Sequence, residues 1–168
     1  MIFISIEGNI GSGKSTILKL LKETYKNNPN ILFLDEPVND WVKLKDNRGN
    51  HILEKYYSDK KRWAYTFQNF AYITRLKKIL QVIENPKNVN KIIISERSIF
   101  TDKNVFAKML HQTEEMDEFE WKLYNEWFNY FSEKIKLDSI IYIHTNPTEC
   151  LNRITKRNRT GENNIPLE

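Results

Sequence analysis

The chain has little of what anchors or cross-links a protein outside the cell. It carries one cysteine, Cys150, in 168 residues. One thiol excludes an internal disulfide and fits a reducing compartment. No apolar run approaches the ~20 residues of a membrane-spanning helix, so no membrane partner is expected. The apolar start, Met1 to Ile6, is short and runs directly into a glycine-bearing loop. That is not the layout of a secretory signal, and a cytoplasmic location is expected. The sequence also lacks repeats, low-complexity segments and a linker, so a single domain over residues 1–168 is expected.

What is present suits a folded domain. At 40% hydrophobic and 12% aromatic residues the chain can bury a core, which argues against disorder. Twenty-six basic against 22 acidic residues give a net charge of +4, a mild bias toward anionic ligands. Most of the lysines read as solvated helix faces, and nucleic acid is not an expected partner.

Apolar runs mark strands at Ile2 to Ile6, Ile31 to Leu34, Ile92 to Ile94 and Ser139 to Ile143. Helical spacing marks Lys14 to Lys26, Asp59 to about Glu84, Thr113 to about Phe131 and Pro147 to Arg157. Asn39 to Gly49 is polar and turn-rich, a loop or broken helix. Solid apolar strands alternating with helices indicate an α/β fold, a central parallel sheet flanked by helices on both faces.

Gly8-Asn9-Ile10-Gly11-Ser12-Gly13-Lys14-Ser15 fits G-x-x-x-x-G-K-[ST] and lies between a strand and a helix, with Thr16 next in that helix. Glycines let backbone N–H groups turn toward phosphate oxygens, Lys14 brings a cation to them, and the Ser15 hydroxyl suits Mg²⁺. A nucleoside triphosphate with Mg²⁺ is the expected cofactor. The loop alone does not separate GTPases, ATPases and small-molecule kinases. No Asn-Lys-x-Asp element for guanine occurs, and the one Asp-x-x-Gly match, Asp46 to Gly49, follows no strand.

Further candidates fall at strand ends and on helices. Strand two ends in Asp35-Glu36-Pro37-Val38 and strand three in Glu96-Arg97-Ser98. Carboxylates at the carboxyl ends of parallel strands can take a hydroxyl proton or hold a metal, or they are simple turn acids. Gln68, Ala71 and Arg75, at i, i+3 and i+7, share one helix face. An amide near a guanidinium suits a nucleobase edge; the alternative is a solvated polar stripe. A buried Arg75 needs an anion, and Asp102 is the candidate. Arg153, Arg157 and Arg159 cluster at the last helix, either to close over a phosphoryl group or as a basic surface patch or RNA contact.

Together these residues resemble one family, the deoxyribonucleoside kinases. The resemblance runs the whole length. It is carried by the Gly8–Ser15 loop, Glu36-Pro37-Val38 with Trp41, Tyr57, Phe67-Gln68, Arg75, Glu96-Arg97-Ser98 with Asp102 and Phe106, and Arg153-x-x-x-Arg157-x-Arg159-x-x-Glu162. It implies a P-loop kinase fold and ATP-dependent phosphorylation of a nucleoside 5′-hydroxyl. In that reading Glu36 is the general base, helped by Arg97; Glu96 binds Mg²⁺ with Ser15; Tyr57 and Glu162 hold the sugar 3′-hydroxyl. Gln68 bonds the base, Phe106 stacks beneath it, and Trp41 packs nearby. Arg153, Arg157 and Arg159 form a lid. The Arg75 and Asp102 pair resembles that of deoxycytidine and deoxyguanosine kinases, so deoxyguanosine, deoxyadenosine or deoxycytidine is expected ahead of thymidine. The family also implies a homodimer, for which the aromatic helix after Thr113 is the candidate interface. Family members usually continue with more helix, a fifth strand and an adenine-contacting loop. On that comparison the chain is a fragment or a natural truncation, and strand four is expected to leave an unpaired edge. Two rival readings are a nucleoside monophosphate kinase and a non-catalytic member of the fold family, such as an accessory subunit of the respiratory NADH dehydrogenase.

Overall fold

The computed structural model describes residues 1–159. Expected roles for Glu162 fall outside them. The chain packs as two compact units: residues 1–36, 78–98 and the chain from Leu137 in one, residues 37–77 and 99–136 in the other.

The first unit is built on four parallel strands: β1 (Ile2–Gly8), β2 (Ile31–Leu34), β3 (Ile92–Glu96) and β4 (Ser139–Ile143), in the order β2-β3-β1-β4. All four lie where apolar runs predict them. Isoleucine-rich segments form strands because β-branched side chains fit a pleated, two-sided core. The helix α1 (Lys14–Thr24) lies against β1 and β3. Leu18 of that helix joins Ile6 and Ile94 in a buried cluster, with Leu21, Ile31, Phe33, Ile92 and Ile143 packed around it. The Cα register pairs Ile2 with Ile92 and Ile6 with Glu96, so β3 ends beside Ile6 and β1 runs on to Gly8. Connections from β1 and from β3 leave toward opposite sides of the sheet. Their shared carboxyl end is therefore the switch point at which such sheets bind ligands. Among the described residues β4 pairs with β1 alone, and its Ile140, Ile141 and Tyr142 are exposed. The helix after β4, α8 (Pro147–Arg157), is capped by the Asn146 side chain and buries Cys150 and Ile154.

The second unit is helical. It contains α2 (Val38–Lys43), α3 (Ile52–Ser58), most of α4 (Lys60–Ile83), a helical stretch after β3, and α7 (Glu118–Ser132). The stretch after β3 begins as α5 (Ile99–Thr101), passes through a π-helical segment (Asp102–Ala107) and ends as α6 (Lys108–Gln112). Its core is aromatic: Tyr72 lies against Tyr124 and Phe128, with ring centroids 5.6 and 5.7 Å away.

Three stretches refine the sequence expectation. Residues 39–49, read as loop or broken helix, contribute α2, and α3 follows it. The helix expected from Thr113 starts at Glu118. There Asp117 accepts from the Phe119 and Glu120 N–H groups, and the Glu120 carboxylate accepts from Asp117 N–H, a reciprocal cap. Glu114, at φ 59°, breaks the chain ahead of it. Asp46 to Gly49 is a turn, as its lack of a preceding strand implies. The Asp46 carboxylate accepts from Arg48 and Asn50 backbone N–H groups, and Gly49 sits at φ 86°.

Candidate functional site

The phosphate loop leaves β1 at Gly8 and enters α1 at Lys14. Its glycines are demanded by contact as well as by backbone angle. A Cβ at Gly11 would lie 2.4 Å from the Cys150 carbonyl oxygen, and φ there is 79°. At Gly8 a Cβ would lie 2.6 Å from the Ile143 carbonyl oxygen. The loop thus wraps tightly against β4 and α8, with no room for side chains at Gly8 and Gly11; glycine-rich loops of this kind can turn backbone N–H groups toward an anion. Gly13 caps α1 without a side chain, so the positive end of the helix faces the loop. Lys14 Nζ donates to the carbonyls of Gly8 and Asn9, at 3.2 and 2.7 Å.

Glu96, the last residue of β3, accepts a hydrogen bond from Ser15 Oγ at 2.7 Å. This joins the two residues that the sequence reading assigns to Mg²⁺. A hydroxyl and one carboxylate fit that ion, which keeps most of its waters and takes other ligands from phosphates. No cluster of three acidic, histidine or cysteine side chains suited to a metal occurs among the described residues.

The next residue, Arg97, is the centre of the site. Its φ of 65° is rare for a residue with a side chain and costs on the order of 1–2 kcal/mol. In return, its Nε reaches Glu36 Oε1 at 3.3 Å. Both side chains are largely buried, Arg97 at 6% exposure and Glu36 at 19%. The loop lysine, the arginine and three carboxylates (Glu7, Glu36, Glu96) share one electrostatic environment. Burial first, and then the Glu36 charge, push the Glu96 carboxyl above its ordinary range. Lys14 is lowered from 10.5 to about 8, chiefly by burial and next by the Arg97 charge.

That depression fixes a pH dependence. The unfolded chain keeps the Lys14 proton up to about 10.5, whereas the folded protein releases it from about 8. Between those values the unfolded state holds more protons, so this group makes stability rise with pH. The expected result is that the Tm of the wild type, relative to Lys14→Met, increases between pH 7.5 and 9.5. A flat or falling difference contradicts it.

Arg153 of α8 bonds the loop directly, Nη1 to the Ser12 carbonyl at 3.3 Å, and Nε to Glu149 Oε1 at 2.8 Å. Arg157 is exposed and Arg159 half-buried at the end of the described chain. Of the three expected lid arginines, the structure brings Arg153 onto the phosphate loop.

The second unit gathers the residues expected to read a base. Arg75 Nε donates to Asp102 Oδ2 at 2.8 Å, with side chains 5% and 3% exposed. The anion that a buried Arg75 requires is thus the expected Asp102. Gln68 Nε2 donates to the Asp102 carbonyl at 3.0 Å. One residue, at the head of the π-helical segment, therefore holds both polar side chains of the α4 face. Ala71 between them is buried. Trp41 Nε1 donates to Thr74 Oγ1 at 3.0 Å, and its ring meets Phe67 edge-on with centroids 5.3 Å apart. Phe67 also stacks on Tyr56, with centroids 4.7 Å apart, so it packs against two rings. Tyr57 and Phe106 are half-buried in this unit.

Three residues are brought to the site without having been singled out from the sequence: Glu7, Ser95 and Ser98 as a side-chain donor. Ser98 Oγ donates to Glu7 Oε1 at 2.8 Å, and Ser95 Oγ to the Arg97 carbonyl at 2.7 Å. A signal was present: Ser5 and Glu7 alternate with Ile4 and Ile6 in a strand otherwise reserved for apolar residues.

The family model described as deoxynucleoside kinase matches residues 4–168. A probable deoxycytidine kinase of Fowlpox virus is 42% identical over 167 residues, covering 98% of this chain and 65% of its own length. The mitochondrial deoxyguanosine kinase of Xenopus laevis is 35% identical over 181 residues, covering 98% and 67%. The deoxycytidine kinase of Bos taurus is 34% identical over 183 residues, covering 98% and 69%. The chain spans about two thirds of the length of these relatives.

Proposed function

We propose, from the premise that the chain belongs to the deoxynucleoside kinase family, that it transfers the γ-phosphoryl group of ATP or another nucleoside triphosphate to the 5′-hydroxyl of a deoxyribonucleoside. The observation that carries this reading is the Glu36–Arg97 contact in the same charged environment as Lys14 and the Ser15–Glu96 pair. Phosphoryl transfer asks a protein mainly to position groups and stabilise charge. The Gly8–Ser15 backbone and Lys14 bind the phosphates. Glu36 accepts the hydroxyl proton as the oxygen attacks, and Arg97 orients that carboxylate. Arg153, Arg157 and Arg159 offset charge on the transferring group. Ser15 and Glu96 would hold Mg²⁺, which when bound neutralises phosphate charge.

Base recognition falls to Gln68, Arg75 and Asp102, with Trp41, Phe67, Ala71 and Phe106 shaping its apolar surroundings. Tyr57 serves the sugar, with Glu162 as its proposed partner. The Arg75–Asp102 pair is fixed and buried, so it offers donor and acceptor to an amino-bearing base and resists an added methyl. One methyl in a closed pocket is worth about 10- to 200-fold in kcat/KM. Thymidine is accordingly expected to be turned over at least about tenfold less efficiently than the best of deoxyguanosine, deoxyadenosine and deoxycytidine. Equal kcat/KM in a four-nucleoside comparison would remove the specificity assignment while leaving the kinase reading intact.

The chain is further proposed to form a homodimer through α7. Phe119, Leu123, Trp127 and Tyr130 recur along one stripe of that helix and are all exposed. A contiguous apolar stripe of this kind on a water-facing helix marks an interaction surface. Sedimentation should give the dimer mass for the wild type and the monomer mass for Trp127→Glu; a monomeric wild type refutes the assignment.

A further inference from the structure

Glu7 is a buried acid in a strand that also buries Phe3, Ser5 and Ile6. It is 6% exposed, its Oε1 accepts from Ser98 Oγ at 2.8 Å, and its Oε2 has no hydrogen-bond partner among the described residues. A buried carboxylate with so few hydrogen bonds opposes folding, and an apolar residue of similar size would serve the sheet better. What the carboxylate does locally is hold the residue after Arg97. The Arg97 backbone is then gripped on both sides: its N–H donates to the Ile6 carbonyl at 3.0 Å, and its carbonyl accepts from Ser95 Oγ at 2.7 Å. Ser98 itself is 1% exposed. Three attachments, two of them to β1, keep the left-handed Arg97 conformation from relaxing. That conformation sends the guanidinium to Glu36.

We propose that Glu7 is a positioning residue for phosphoryl transfer: by holding Ser98 it keeps the Glu96–Ser98 turn strained and the Arg97 guanidinium against Glu36. The proposal rests on the kinase reading above for its kinetic consequence, but not for its structural one. A displacement on the order of 1 Å of a group near the chemistry costs up to about 10²-fold in rate.

The test compares wild type, Glu7→Ala, Ser98→Ala, the double variant and Glu7→Gln. In each, kcat and KM are measured, together with the Arg97 side-chain Nε–H signal by NMR, assigned through its loss in Arg97→Lys. Ser98→Ala removes one oxygen only, so folded protein remains for measurement. Both single alanine variants should lose about 10- to 100-fold in kcat with KM within about threefold. The double variant should be no worse than the poorer single, because both break one link. Glu7→Gln keeps an oxygen for Ser98 and should stay within about threefold of wild type. The Arg97 Nε–H signal should move to a solvent-exposed position in Ser98→Ala. Multiplicative losses in the double variant, or a Glu7→Gln as impaired as Glu7→Ala, would overturn the proposal. So would an unmoved Arg97 signal. If the wild type phosphorylates nothing but the Arg97 signal moves, the positioning role stands and the kinase reading falls.

Discussion

Glu36→Gln is expected to lower kcat by a factor of about 10²–10⁴, the range of general-base catalysis, with nucleoside KM changed by less than about threefold. The glutamine is isosteric and can still accept from Arg97, so the side chain should stay in place. It cannot take the hydroxyl proton. Loss of kcat alone marks an interaction made in the transition state, whereas a rise in KM alone would mark a binding contact. Steady-state kinetics of the two proteins at one saturating ATP concentration decide this. A Glu36→Gln enzyme with unaltered kcat would move the base elsewhere, and Glu7 and Glu96 would be the remaining acids of the cluster. Glu96 is a poorer candidate because it already holds the Ser15 hydroxyl.

The second large effect concerns Asp102. Its carboxylate is 3% exposed and bonded to Arg75 Nε, itself 5% exposed. Asp102→Ala leaves the guanidinium charge buried without that carboxylate, and removing one partner of such a pair costs about 3–5 kcal/mol. The expected result is a large fall in the urea midpoint with an unchanged m-value. The Gln68 bond goes to the Asp102 carbonyl and survives the substitution. Replacing both members, in Arg75→Met with Asp102→Leu, should recover most of the stability, since an apolar pair needs no desolvation of charge. It should not recover discrimination among bases. Recovered discrimination would show that the pair serves packing alone. An Asp102→Ala protein as stable as wild type would show that the buried ion pair contributes nothing.

How much of this could be read in advance depended on how strongly local chemistry speaks. The four strands were legible because each is dominated by a short run of apolar, often β-branched residues, a pattern that suits a buried parallel strand. The phosphate loop was legible because its glycines, lysine and serine fall at fixed spacing between a strand and a helix. The Arg75–Asp102 pair followed from charge: a buried guanidinium must find an anion. The helical stretch after β3 was not legible. A π-helical segment over Asp102–Ala107 shifts the side-chain period, so no 3.6-residue pattern runs through it. The short α2 and α3 bury few residues each, and their caps are unusual. Pro37 opens α2 without a side-chain bond, and a histidine, His51, caps α3 by accepting from Glu54 N–H. Arg97 was named through the family resemblance of Glu96-Arg97-Ser98, but its left-handed backbone was invisible. Nothing in Glu-Arg-Ser demands φ 65°; the demand comes from Ile6, Ser95 and, through Ser98, Glu7, two strands brought together by tertiary structure. Strain held by distant residues is a property of the fold and leaves little mark in a local reading.

The most direct measurement is phosphoryl transfer from ATP with Mg²⁺ to each of the four deoxyribonucleosides and to their monophosphates, with products resolved chromatographically. The expected products are a 5′-monophosphate and ADP in equal amounts from at least one of deoxyguanosine, deoxyadenosine and deoxycytidine. Binding of ATP with no nucleoside phosphorylated, or phosphorylation of the monophosphates alone, would contradict it.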